Sequence, residues 1–195
     1  MEIASAAAAL VVDEGMDYGR AKVRALKTLG LPPRTALPDN QAVEAAVREH
    51  IALFHADSQP AELLALRELA LHWMDRLAEF EPMIGGAVWH GTATRLSDIY
   101  LQLFSDDPKA VELALINWHV EYDATSVKGL HGQPVEALSV QVRSEALQAW
   151  VGLHLLVNDS RSLRGALLPD ALGRKPRGNL ADLRNLLKNG ESECP

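Results

Sequence analysis

The sequence predicts an α+β fold, a helical N-terminal segment followed by a mixed β-sheet flanked by helices, and three observations predict it. Apolar residues recur in steps of three and four at Leu63, Leu66, Ala70, Trp73, Leu77 and Phe80, the spacing of one helix face. After Pro82 the period falls to two, most clearly in Ile99, Leu101 and Leu103 against Asp98, Tyr100 and Gln102. Near the end, Asn179 precedes an apolar-periodic run to Leu187 and Gly190 lies just beyond, the punctuation of a capped helix. Helices first and strands around short helices later define α+β rather than a regular βαβ alternation.

Each element has its own justification. An alanine-rich helix runs to Val12 and stops near Gly15. Tyr18 to Leu29 makes a second helix, ended by Gly30 and kept from continuing by Pro32-Pro33. Asp39 or Asn40 caps a third, with Val43, Val47, Ile51 and Phe54 as its apolar stripe. Asp57-Ser58-Gln59-Pro60 breaks the chain before the fourth helix. Strands follow near 83–88, 97–104, 115–123, 134–143 and 150–157, with Asp107-Pro108 opening a short helix and Gly129-Leu130-His131-Gly132 forming a turn. The expected division is a helical segment over 1–58 and an α+β domain over 59–195.

Composition limits the function classes. A chain of 195 residues, 48% apolar and 23% charged, buries a sizeable core and is not disordered throughout. Its formal net charge of -7 counts against general binding to nucleic acid or anionic membrane. The Ile3–Val12 run has about half of the ~20 residues a membrane helix needs. It follows Glu2 and precedes Asp13-Glu14, flanks unlike those of a secretory signal. The only cysteine, Cys194, permits no internal disulfide and no cysteine metal site, which fits a reducing compartment; the expected localisation is cytoplasmic. Gly-x-x-x-x-Gly-Lys-Ser/Thr, Gly-x-Ser-x-Gly and His-Glu-x-x-His are all absent, so P-loop ATPases, Mur-type ligases, serine hydrolases and zincins find no match.

The chemistry concentrates in Met83-Ile84-Gly85-Gly86 and the residues up to Leu101. Paired glycines let the backbone turn sharply and approach a ligand without Cβ interference. Gly91, Thr92 and Ser97 follow, and a strand then presents Asp98 and Tyr100 on one face. This stretch resembles the nucleotidyltransferase superfamily related to DNA polymerase β, its minimal members in particular. Those proteins carry Gly-Gly or Gly-Ser, a spacer of turn and short helix, then Asp-x-Asp or Asp-x-Glu on a strand. Here the pair is Gly85-Gly86, the spacer Ala87 to Ser97 and the acid Asp98, while the second acid is replaced by Tyr100. The likeness covers roughly residues 60 to 125.

The resemblance implies an Mg²⁺-dependent transfer of a nucleoside monophosphate from an NTP to a protein, RNA or small-molecule acceptor. It assigns Gly85, Gly86, Thr92 and Ser97 to the nucleotide and Asp98 to the metal, and the charge of Arg95 beside Asp98 makes it a phosphate candidate as well as an ordinary loop residue. The resemblance also implies a third acid on a neighbouring strand. Glu121 is the first choice and Asp123 the second, both from the alternating segment Ile116 to Asp123. Two carboxylates at i and i+2 share one strand face and suit hard Mg²⁺, whereas a phenol with pKa near ~10 substitutes poorly. A catalytically degenerate relative that binds a nucleotide or partner is therefore the alternative. A second alternative is a nucleic-acid-binding regulator using Arg20, Arg24 and Lys27 on the second helix, with Lys22 and Arg34 nearby.

Other residues carry a bland reading beside a functional one. His90 and the loop cluster Arg174, Lys175 and Arg177 are either phosphate donors or ordinary loop residues. Trp73, Trp118 and Trp150 read as core anchors, and Trp89 reads as packing or as a surface for a base. His50 and His55, five apart, do not share a helix face and so do not form a zinc pair.

Overall fold

A computed structural model describes residues 2–166, 168–169 and 173–190; Cys194 lies outside the described residues. The chain forms two compact units, Met1–Leu63 with Thr92–Leu96, and Leu64–Gly91 with Ser97–Pro195. The division falls inside the fourth helix, and the Thr92–Leu96 loop from the motif region groups with the helical unit.

The first unit is built on α1 (Glu2–Glu14), α2 (Tyr18–Thr28) and α3 (Asn40–Phe54). Asp17 caps α2 by accepting the Arg20 N–H, and Asp39 caps α3 by accepting the Ala42 N–H. The alanines of α1 let the neighbouring helices approach closely. Ala7, Ala8 and Val12 pack with Ala21 and Ala25 of α2 and with Val43, Val47 and Ile51 of α3. The predicted α3 stripe stops at Ile51, since Phe54 is exposed. Gly15 turns α1 toward α2 at φ +69, where a Cβ would lie 3.0 Å from the Leu96 carbonyl oxygen. Gln59 and Glu62, at the start of α4 (Gln59–Arg76), fasten the Thr92–Leu96 loop. Gln59 Nε2 donates to the Ala93 carbonyl at 2.8 Å, and Glu62 accepts the Arg95 N–H at 2.9 Å.

In the second unit, β1 (Met83–Gly85), α5 (Gly86–His90) and β2 (Ile99–Phe104) follow the remainder of α4. Then come α6 (Ala110–Asn117), β3 (Asp123–Lys128), β4 (Pro134–Ser144), β5 (Ala149–Asn158), α7 (Leu163–Ala166), β6 (Arg177–Asn179) and α8 (Leu180–Lys188). The six strands form one mixed sheet in the order β3-β4-β5-β2-β1-β6. Only β2 and β5 are parallel, with Ile99 opposite Leu153 and Tyr100 opposite His154. Ile99, Leu101 and Leu103 on β2, Leu153 and Leu155 on β5 and Leu138 on β4 are fully buried on one face. Leu66, Met74, Leu77, Leu115 and Leu183 are fully buried in the same unit. The opposite face carries Tyr100, His154, Ser139, Gln141, Arg143, Trp150 and Asp123, all exposed or half-buried.

Two sequence expectations change here: the strand expected over 83–88 ends at Gly85, where α5 begins, and the one expected over 115–123 is replaced by a helix end and a loop. The segment 115–123 is not a strand: Val111 and Leu115 are buried one helical turn apart in α6, and Ile116 is half exposed. Trp118 N–H closes the helix on Ala114, and His119 turns the chain at φ +56. The apparent alternation was a helix end followed by a loop. The loop is pinned by the Tyr122 hydroxyl, which donates to Glu112 Oε1 at 2.7 Å. The closing helix is as expected, with a reciprocal capping box between Asn179 and Asp182. β6 is new; its glycine, Gly178, lies against the Trp89 ring, where no Cβ would fit.

Candidate functional site

Asp98 precedes β2, and its side chain reaches across to β5. Its Oδ1 accepts the Gly152 N–H at 3.2 Å, and its Oδ2 lies 3.2 Å from His154 Nε2. The other imidazole nitrogen, Nδ1, lies 2.9 Å from Ser139 Oγ on β4. Tyr100 stacks on the same imidazole, with ring centroids 4.7 Å apart and planes inclined by 25°. These four side chains form a continuous line across three adjacent strands, because register sets Tyr100, His154 and Ser139 level with one another. Gly152 makes the line possible: a Cβ there would stand 2.5 Å from Asp98 Oδ1.

The diglycine bend borders this face from β1. Continuing the β1–β2 register one step beyond Ile84–Leu101 sets Gly85 level with Tyr100. Gly86 has φ +66, and a Cβ on it would meet nothing within 4 Å, so space is open above the bend. Arg177 flanks it, with its Cγ 3.3 Å from where a Gly85 Cβ would be. Its Nη1 donates to the Ala166 carbonyl at 3.3 Å, and burial pushes its guanidinium down from the ordinary arginine value. The Asp98 carboxylate, however, is bonded on the β5 side, away from β1.

The remaining predicted residues are distributed as follows. Thr92 and Arg95 group with the helical unit and Asp98 with the second unit. Thr92 is buried and hydrogen-bonded to Tyr18, whose phenol burial pushes up against the opposing pull of that bond. Arg95 is exposed and anchored through its backbone. Ser97 adjoins Asp98 in the second unit. Glu121 is exposed in the loop between α6 and β3, not on a strand beside β2. Two strands separate β3 from β2, so at ~4.8 Å per strand Asp123 stands roughly 14 Å from the Tyr100 position. Carboxylates sharing one Mg²⁺ stand within about 4 Å of each other, so Asp123 at that spacing does not share an ion with Asp98. The strand that lies beside β2 is β5, and its residue opposite Tyr100 is His154.

The donor set on this face is one carboxylate, one imidazole, one phenol and one hydroxyl. It does not fit a two-magnesium centre, which needs several hard carboxylate oxygens. What it does is hold one imidazole between an acid and a hydroxyl, with an aromatic ring laid on it. Further along the same face Trp150 is 64% exposed, with the Arg143 guanidinium 6.0 Å from its ring. An open groove of about 1030 Å³ runs beside it, lined by Trp73, Glu121, Asp123, Ser139, Arg143 and Trp150 among others. Trp150 thus corrects its reading as a core anchor. Trp89 is buried, and its Nε1 donates to the Lys175 carbonyl at 3.0 Å, which removes it as a stacking surface.

In the sequence His154 is one of several dispersed histidines, in a stretch where Trp150, Gly152 and His154 alternate with Val151, Leu153 and Leu155. That alternation marks a half-exposed strand; only the parallel pairing with β2 sets the histidine against Asp98. On α2, Arg24 pairs with Glu14 at 2.7 Å and Arg20 with Asp17 at 3.4 Å, so much of that basic face is neutralised by its own unit. Lys175 likewise pairs with Asp182 at 3.1 Å. Among the described residues no helix is long and apolar enough to cross a membrane. No protein-family model and no curated protein matches this chain.

Proposed function

We propose that this chain is a nucleotidyltransferase-like protein that binds a nucleotide and has lost the carboxylates required for transfer. The observation that carries the reading is the composition of the three positions around Asp98. Where the motif's resemblance calls for three acids, the face presents Asp98, Tyr100 and His154, with the latter two stacked on each other. A phenol and an imidazole are a poor magnesium cage. The open diglycine bend suits a polyphosphate, and exposed Trp150 with Arg143 suits a base and its charge.

The test measures binding and transfer separately. Fluorescent ATP and GTP analogues, titrated into the chain, are expected to bind saturably and to lose affinity in Tyr100→Ala. Incubation with α-labelled nucleotide and magnesium is expected to label no protein, RNA or small-molecule acceptor. The double variant Tyr100→Asp/His154→Asp restores three acids around one point and is expected to gain transfer. Robust transfer by the unmodified chain would establish the active enzyme instead, and absence of any nucleotide binding would remove both readings.

A further inference from the structure

We infer that the helical unit carries a zinc-type metal site formed by Asp13, His50 and His55, independent of the nucleotide reading. On an uninterrupted helix, residues five apart diverge by about 140°, which is why the sequence spacing argued against a pair. His55 is not helical: it follows α3 with φ -130 and ψ 15, and this swings its ring back toward His50. The two imidazole centroids are 5.8 Å apart.

Asp13 enters from the last turn of α1. Its Oδ1 lies 2.9 Å from His55 Nε2 and its Oδ2 3.2 Å from His50 Nε2. The three donor atoms all fall within 4.8 Å of one another. A tetrahedral zinc with bonds of ~2.0–2.1 Å holds its donors about 3.3 Å apart, so small side-chain rotations close the site.

The frame under these donors is firm. Val12, adjacent to Asp13, packs in the cluster that joins α1 to α3 through Val47 and Ile51. The His50 ring rests against Phe54 with centroids 4.8 Å apart. The Asp13 side chain is half exposed, which leaves an approach for the ion and a fourth position for water. Two imidazoles and one carboxylate suit zinc, cobalt or nickel and not the oxygen-seeking Mg²⁺ or Ca²⁺. The two Nε2 atoms converge on the two oxygens of one carboxylate, which brings together the three donors that a chelate needs.

The experiment uses the whole chain carrying Cys194→Ser, so that no thiol contributes, freed of metal by a chelator. Zinc is titrated against a chromophoric competitor, and cobalt is added separately for its visible spectrum. The expected result is saturation at one ion per chain, the intense visible bands of tetrahedral cobalt, and a zinc-specific rise in melting temperature. Asp13→Asn, His50→Gln and His55→Gln, each checked for folding by circular dichroism, are each expected to weaken zinc binding by at least about tenfold. The absence of saturable binding, or a variant set in which His55→Gln binds as tightly as the parent, overturns the site. Failure here leaves nucleotide binding untouched, because no residue is shared.

Discussion

Gly152→Ala perturbs the candidate site at its tightest point. The added Cβ would stand 2.5 Å from Asp98 Oδ1 and 2.8 Å from its Cγ, well inside the ~3.5 Å of ordinary carbon contacts. The carboxylate must swing off β5, giving up the Gly152 N–H and the His154 contact, both at 3.2 Å. Its side chain is 46% exposed, so water takes over as partner. The loss is then about 1 kcal/mol, less than the ~1.5–3 kcal/mol of a sheltered hydrogen bond to a charge. Alanine in place of a strand glycine returns roughly 0.5–1 kcal/mol by restricting the unfolded chain. The two contributions nearly cancel. The melting temperature should therefore move by less than about 3 °C, while the His154 Nε2 resonance shifts in a ¹⁵N-imidazole spectrum as its acid departs. Asp98→Asn provides the comparison, changing the charge with the contact distances retained. A destabilisation above about 2 kcal/mol, more than the lost contacts can supply, would refute the reasoning. An unchanged His154 spectrum would refute it equally.

Arg67 is buried, and its guanidinium spans the carbonyls of Val88 and Trp89 at 3.1 and 3.3 Å. Arg67→Met should lower stability by roughly 2 kcal/mol by orphaning those carbonyls, and Arg67→Lys should not restore it. Urea unfolding measures both, and an unshifted midpoint in the methionine variant contradicts the role. Asp159 caps the turn after β5, and the Arg161 side chain, aided by its N–H, holds the carboxyl at about 2. Its folded value lies below its unfolded one, so its contribution to stability is complete above about pH 4 and is lost as pH falls through about 2. Arg161→Ala should return the Asp159 carboxyl toward the ordinary range in an NMR titration, and a titration midpoint that stays near 2 would assign the shift elsewhere.

The legible parts of this fold were those whose cause is local. The capped starts of α3 and α8 each rest on one side chain satisfying N–H groups within three residues, so Asp39 and Asn179 announced them, whereas the Asp17 cap of α2 emerged only in the structure. β2 was legible because one of its faces is buried and the other open, which imposes period two. The 115–123 segment failed because a short helix end followed by a loop can mimic alternation over eight residues. Its true period was carried by Val111 and Leu115, upstream of the window that drew attention. β6 has three residues and no apolar pattern; it exists because Gly178 lies flat on Trp89, a contact between positions far apart in the chain.

The candidate sites divide along the same line. Sequence alone determined that Gly85-Gly86 could bend sharply, that Asp98 and Tyr100 share a face, and that a phenol and not an acid stands two residues after Asp98, because each is a matter of neighbouring residues. Which strand lies beside β2 was a tertiary decision: the parallel pairing brought in His154 and left Glu121 and Asp123 beyond two strands. Register and chain crossing arise from burying one apolar face as a whole, and no short window of sequence carries that sum. The convergence of His50 and His55 on Asp13 has the same origin, since the helix end that redirects His55 matters only once α1 is packed against α3.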